Sequence, residues 1–184
     1  DYYLPAQNVG IDSSTNSDFA SWNTTSVTNL TETFRGCGSF NGNVNNWNVS
    51  NVTTASKTFL DCTSFNKPLS NWNTQNLVSA SQMFQGATSF NQSLANWNVS
   101  KLNNIGYMFH GATNFSSQIF SNFGDSITSA PVLLGAFRSS KFNGSNITTW
   151  DVSLVTDFRT VFQDNTTFNQ NIGNWDTGSA LNFS

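Results

Sequence analysis

The residues of this chain that could take part in chemistry are few and scattered. His110 is the only histidine. It stands in "MFHGA", where other repeats carry Arg35, Leu60, Gln85, Arg138 and Gln163, and no Ser–His–Asp relay can be assembled around it. Asp151 and Asp176 are 25 residues apart, each directly after a tryptophan. On adjacent turns of a repeat they would lie about 4.8 Å apart, which invites an acid/base pair or a calcium ion. Both uses need further ligands, and the sequence brings none near. The plainer reading makes them the end of a polar row that begins with Asn23, Asn48, Asn73 and Asn98. Asn48, Asn73, Asn98, Asp151 and Asp176 are taken as the candidate ligand face. No catalytic residue, metal ligand or cofactor is expected.

Cys37 and Cys62 are also 25 apart. Equivalent positions on neighbouring rungs fall within disulfide reach. The other reading is two free thiols in a small-residue slot that Ala87 and Ala112 fill elsewhere. Asn-x-Ser/Thr sequons occur at Asn23, Asn29, Asn48, Asn51, Asn91, Asn98, Asn114, Asn143, Asn146, Asn165 and Asn182. In a protein secreted by a eukaryote these are candidate N-glycosylation sites.

The elements that position these residues follow from one period. Trp22, Trp47, Trp72 and Trp97 are 25 apart, as are Phe34, Phe59, Phe84 and Phe109, and again Phe40, Phe65, Phe90 and Phe115. The phase returns with Trp150, Phe162, Phe168 and Trp175. One unit cannot bury so many apolar side chains, whereas stacked units can, so the chain is read as a solenoid. "NWNV" alternates polar and apolar and predicts a short parallel strand. Thr54–Phe59 and its equivalents predict a helical turn closed by Gly36, Gly86 and Gly111. The Asn of "FN" (Asn41, Asn66, Asn91, Asn169) is expected to bond the backbone of neighbouring rungs. The expected architecture is an α/β repeat of about seven such units. Residues 22–184 form the array, irregular over about 116–146, and residues 1–21 form an N-terminal cap or assembly segment.

Composition narrows the partners. Charged residues are 9% and the net charge is −3, with lysine and arginine scattered, so no nucleic-acid footprint is present. No apolar run approaches membrane-spanning length. Aromatic residues at 14% supply the apolar bulk that a disordered chain lacks.

The stretch "FQGATSFNQSLANWNVSKLNNIGYMFHGATNF", Phe84–Phe115, resembles the BspA-like leucine-rich-repeat surface proteins in their short-repeat variant. The likeness runs from about Trp22 to Asp176. It implies a leucine-rich-repeat-like solenoid, a place outside the cell or on its surface, and a structural or adhesive role without catalysis. A glycan or a surface protein would be the ligand. An oxidising location also tips Cys37 and Cys62 toward a disulfide. The segment with Tyr2, Tyr3, Leu4, Val9, Ile11 and Phe19 is apolar for a cap, and the array stops part-way through a unit after "NWDTG". Together these suggest a rival reading, a head-to-tail filament subunit. A carbohydrate-binding module on the Asn/Asp row is the other rival.

Overall fold

Every 25 residues the backbone returns to the same place. The structure, a computed structural model, describes residues 19–184. Single parallel bridges join Asn29, Thr54, Ser79, Asn104 and Val132 in succession, and Asp157 to Asn182. These seven residues number rungs 1 to 7 of a stack. Rungs 5 and 6 are joined by backbone bonds from Gly135, Phe137 and Ser139 to Arg159, Val161 and Gln163.

The α/β expectation is overturned. Among the described residues there is no α-helix and no strand longer than a single bridge. The only helical pieces are two 3-10 turns, Phe19–Ser21 and Ser145–Thr149. The rest is turn and coil, so the chain is not an α/β repeat solenoid of leucine-rich-repeat type. The reason lies in where the backbone N–H groups go. In rung 2 the N–H groups of Ala55, Lys57, Phe59 and Asp61 donate to Ser79, Ser81, Met83 and Gln85 of the next rung, at 2.8–2.9 Å. The intervening groups of Thr58, Leu60 and Cys62 turn back three residues, to Ala55, Lys57 and Phe59. An α-helix needs consecutive N–H groups bonded four residues back. Here every second one leaves for the neighbouring rung.

That alternation needs left-handed backbone at two places per rung. Glu32, Lys57, Gln82, Tyr107, Gly135 and Thr160 have φ between 55° and 61°, and four residues on Gly36, Asp61, Gly86, Gly111, Ser139 and Asp164 are also positive. Each is the third residue of a tight turn, where a type II turn demands positive φ. The predicted "NWNV" strand also fails. Trp47 N–H bonds back to Val44, and Asn48 Oδ1 receives Ser50 N–H at 3.1 Å, so this half of the repeat is turns.

The core is three aromatic ladders. Phe34, Phe59, Phe84, Phe109, Phe137 and Phe162 stack at 5.6–5.7 Å. Beside them run Phe40, Phe65, Phe90, Phe115, Phe142 and Phe168, and the two rings of one rung lie face to face, as Phe84 and Phe90 do at 3.9 Å. The tryptophans form the third ladder. Buried indole N–H groups need acceptors. Trp47, Trp72, Trp97, Trp150 and Trp175 donate to the carbonyls of Phe19, Val44, Leu69, Phe120 and Ile147 at 2.7–3.1 Å. The irregular region keeps the stack: the step from Asn104 to Val132 is lengthened, and Phe123 packs at 4.7 Å on Trp150. Most of the expected N-terminal segment, residues 1–18, lies outside the described residues.

Candidate functional site

The row that follows the tryptophans is exposed and does run along the stack. Each member is held by a local turn. Oδ1 of Asn23, Asn48, Asn73, Asn98, Asp151 and Asp176 accepts the N–H two residues on, from Thr25, Ser50, Gln75, Ser100, Ser153 and Gly178. These are the Asx turns that Asn and Asp favour. The Ser153 hydroxyl and N–H donate to Asp151 and hold its carboxyl below the usual range. Among the described residues no cluster of His, Cys, Asp and Glu could hold a metal ion.

The second asparagine row stitches rungs together through Asn41, Asn66 and Asn91 as expected, while at the last step the acceptor is Asn143 and the expected Asn169 supplies only its N–H. Oδ1 of Asn41, Asn66 and Asn91 accepts the N–H of Asn66, Asn91 and Ser116 at 2.9–3.0 Å, and Asn143 that of Asn169 at 2.8 Å. Of the sequon asparagines, Asn23, Asn29, Asn48, Asn51, Asn91, Asn98, Asn114, Asn143 and Asn182 are exposed, while Asn146 and Asn165 are half-buried. Two have their amide nitrogen engaged: Asn51 donates to Thr25 O and Asn165 to Phe142 O, both at 3.0 Å.

Cys37 and Cys62 are not joined; both are free thiols. The Cys62 sulfur is buried and donates to the Phe34 carbonyl at 2.9 Å, while that of Cys37 lies 4.0 Å from Arg35 O. Each sulfur is aimed at a backbone carbonyl, not at the other. Burial, and then the neighbouring Cys37, push the Cys62 thiol far above its ordinary range. The disulfide toward which the resemblance tips this pair is not formed here; Cys62 sits in the buried small-residue slot that Ala87 and Ala112 fill elsewhere, and Cys37 is half-buried.

Sequence reasoning missed the outward side of the left-handed turns. At the phase of Glu32 the rungs carry Glu32, Lys57, Gln82, Tyr107, Gly135 and Thr160, and at the phase of Arg35 they carry Arg35, Leu60, Gln85, His110, Arg138 and Gln163. Side-chain type changes from rung to rung while the backbone does not. Ion pairs gather at both ends of this face. Glu32 bonds Arg35 at 3.0 Å and Lys57 at 3.3 Å; Arg159 chelates Asp157; Arg138 Nε lies 3.9 Å from Asp164, beyond hydrogen-bond reach. Burial would raise the Glu32 carboxyl, but the bonds from Lys57 and Arg35 outweigh it and leave it lowered. The bond from Arg159 keeps Asp157 low. Tyr107 and His110 meet at 5.7 Å in the middle. The available signal was the variety at a fixed phase, set against constant aromatics at the core phases.

A cavity of about 680 Å³ opens at the last two rungs and is lined by Phe158, Phe162, Ile172, Trp175 and Phe183 among others. No acid, base or thiol lines it. Among the described residues no helix is long and apolar enough to cross a membrane.

Neither a curated protein nor a solved structure matches the chain. A family model does match, over residues 7–123 and 133–184, leaving out the first six residues and part of the stretch where the step between rungs lengthens. On that coverage the chain belongs to the family described as Mycoplasma protein of unknown function, DUF285.

Proposed function

We propose that this protein is a non-catalytic display module of the cell surface or extracellular space, which binds a surface glycan or protein along its polar rows. The observation that supports this most is the row Asn48, Asn73, Asn98, Asp151 and Asp176. Each side chain has one oxygen fixed by its own turn, so its remaining polar atom repeats along a rigid aromatic core. Groups held in place before binding lose little freedom on binding. The motif likeness to BspA-like surface proteins points the same way. The scattered titratable groups give an enzyme nothing to converge on.

The test is binding of labelled protein to a glycan array and to immobilised surface and matrix proteins. Saturable binding, weakened about tenfold by Asn73→Ala with Asn98→Ala, is the expected result. Binding unchanged by that pair, or no saturable binding to any probe, rejects the reading.

A further inference from the structure

We infer that the second asparagine row, with the threonines just before it, seats an extended, uncharged, β-1,4-linked glycan that lies along the stack, one sugar ring to a rung. This row is distinct from that of Asn48, Asn73 and Asn98, and the inference rests on the proposed function only in that a polar row of the module binds a glycan.

The face flanks the buried ladder of Phe40, Phe65, Phe90 and Phe115. Two residues before the ring stand Thr63, Thr88 and Thr113; directly after it stand Asn41, Asn66 and Asn91. Thr63, Thr113, Asn66 and Asn91 are exposed, and Asn41 and Thr88 are half-buried.

The side chains are ordered by the neighbouring rungs. Oδ1 of Asn66 accepts from Asn91 N–H at 3.0 Å and from Gln92 Nε2 at 2.9 Å. Oδ1 of Asn91 accepts from the N–H and hydroxyl of both Ser116 and Ser117. The pattern of Asn66 recurs at Asn143, which accepts from Asn169 N–H and Gln170 Nε2. With its oxygen engaged, each amide plane is set. The Nδ2 groups of Asn41, Asn66, Asn91 and Asn143 donate to nothing among the described residues. The threonines supply the opposite polarity. Thr63 and Thr88 donate their hydroxyl protons to the carbonyls of Gly38 and Thr63, at 3.1 and 3.3 Å, so their oxygens remain as acceptors. Rungs 2 and 3 thus each offer a fixed donor and a fixed acceptor, which suits sugar hydroxyls, because a hydroxyl both donates and accepts. Groups already ordered lose little freedom on binding.

Step and charge choose the polymer. Rungs repeat at about 4.8 Å, nearly the advance of one ring in an extended β-1,4-linked glycan, so the two stay in register over rungs 1 to 4. A helical α-1,4-linked chain turns its hydroxyls away from such a row. Lys67 and Lys141 are the only charges next to the row, three rungs apart, and neither is ion-paired among the described residues. Two such cations cannot match an acid on every ring or every second ring, so the face fits a neutral chain. Each bond made in exchange for water contributes little, so binding grows with the number of rungs engaged.

The experiment is titration of the 184-residue protein with β-1,4-linked glucose and N-acetylglucosamine oligomers of two to six rings. Oligomers of α-1,4-linked glucose and of a polyuronate are the comparisons. Saturable binding of the β-1,4-linked chains is expected, tightening about tenfold from two rings to four and levelling off beyond. Asn66→Asp with Asn91→Asp keeps the Oδ1 that joins the rungs and replaces only the Nδ2 donors. That pair is expected to weaken binding about tenfold with unchanged circular dichroism, and Thr88→Val, which removes one acceptor, to weaken it less. No binding of β-1,4-linked oligomers overturns the inference. So does affinity indifferent to length, a preference for the α-1,4-linked or polyuronate chains, or binding unmoved by both the Asp pair and Thr88→Val. Glycan binding lost with Asn73→Ala and Asn98→Ala but untouched by the Asp pair leaves the proposed function standing and this inference fallen.

Discussion

At the scale of single residues, the fold is set by backbone sign. Gly86 and Gly111 hold the second left-handed position of rungs 3 and 4, with φ of 67° and 70°. A Cβ on Gly86 would run into the Asp61 carboxylate of the rung before, whereas one on Gly111 has nothing nearer than 3.8 Å. Gly111→Ala therefore isolates the cost of left-handed alanine, about 1–2 kcal/mol. Gly86→Ala adds displacement of Asp61 and is expected to lose more, read as a lower midpoint in urea unfolding. Equal losses would show that the carboxylate swings away freely. His110 gives a pH prediction. Burial first, and then the Arg138 charge one rung on, lower its imidazole below the ordinary histidine value, with Asp164 opposing. The fold thus favours the neutral form. Its contribution to stability is complete above the ordinary histidine range and is lost as pH falls through that range toward the lowered value. His110→Gln should flatten this part of the stability–pH curve; an unchanged slope would assign the loss to other groups.

At the scale of elements, the aromatic ladders and the backbone turns carry different information. Ring phase is written in residue identity, so the rungs, their order and their core were legible from Trp22, Phe34, Phe40 and their repeats. The pairing between rungs was not. It runs through the half of the repeat read as a helical turn, because Glu32, Lys57, Gln82 and Tyr107 take positive φ and send alternate N–H groups outward. None of these residue types announces that conformation, and it is the stack that imposes it. The polar row was legible as a row, but not that its oxygens are used by its own turns. A test separates the ladder's contribution from that of the turns. Phe84 is fully buried and packs on Phe59, Phe90 and Phe109 at once. Phe84→Ala should cost about 3–5 kcal/mol, while Phe162→Ala, at a half-buried rung, should cost clearly less. Chemical denaturation of both variants reads the difference.

At the scale of the whole molecule, the rungs touch only their neighbours, so stability is a sum of rung terms and contacts between adjacent rungs. That makes the gradient of burial along the stack a gradient of local stability. Rungs 2 to 4 are packed on both sides: Phe59, Phe84, Phe109 and their partners Phe65, Phe90 and Phe115 are fully buried. Toward the far end, Phe162, Phe168, Ile172 and Trp175 are only half-buried, and Leu181 and Phe183 are open to water. Opening the end breaks one set of contacts, whereas opening a middle rung breaks two and exposes stacked rings on both sides. Hydrogen exchange should therefore show slowest exchange at the N–H groups of Phe59, Phe84 and Phe109, which bond to the next rung at 2.9 Å. Exchange should quicken through Phe158 and Thr160, whose acceptors, Asn182 and Ser184, lie in the exposed last rung. Subglobal opening explains such a gradient. Uniform protection from Leu30 to Thr160 would instead mean that the ladders open only together, and that coupling along the aromatic stack outweighs the difference in burial between its middle and its end.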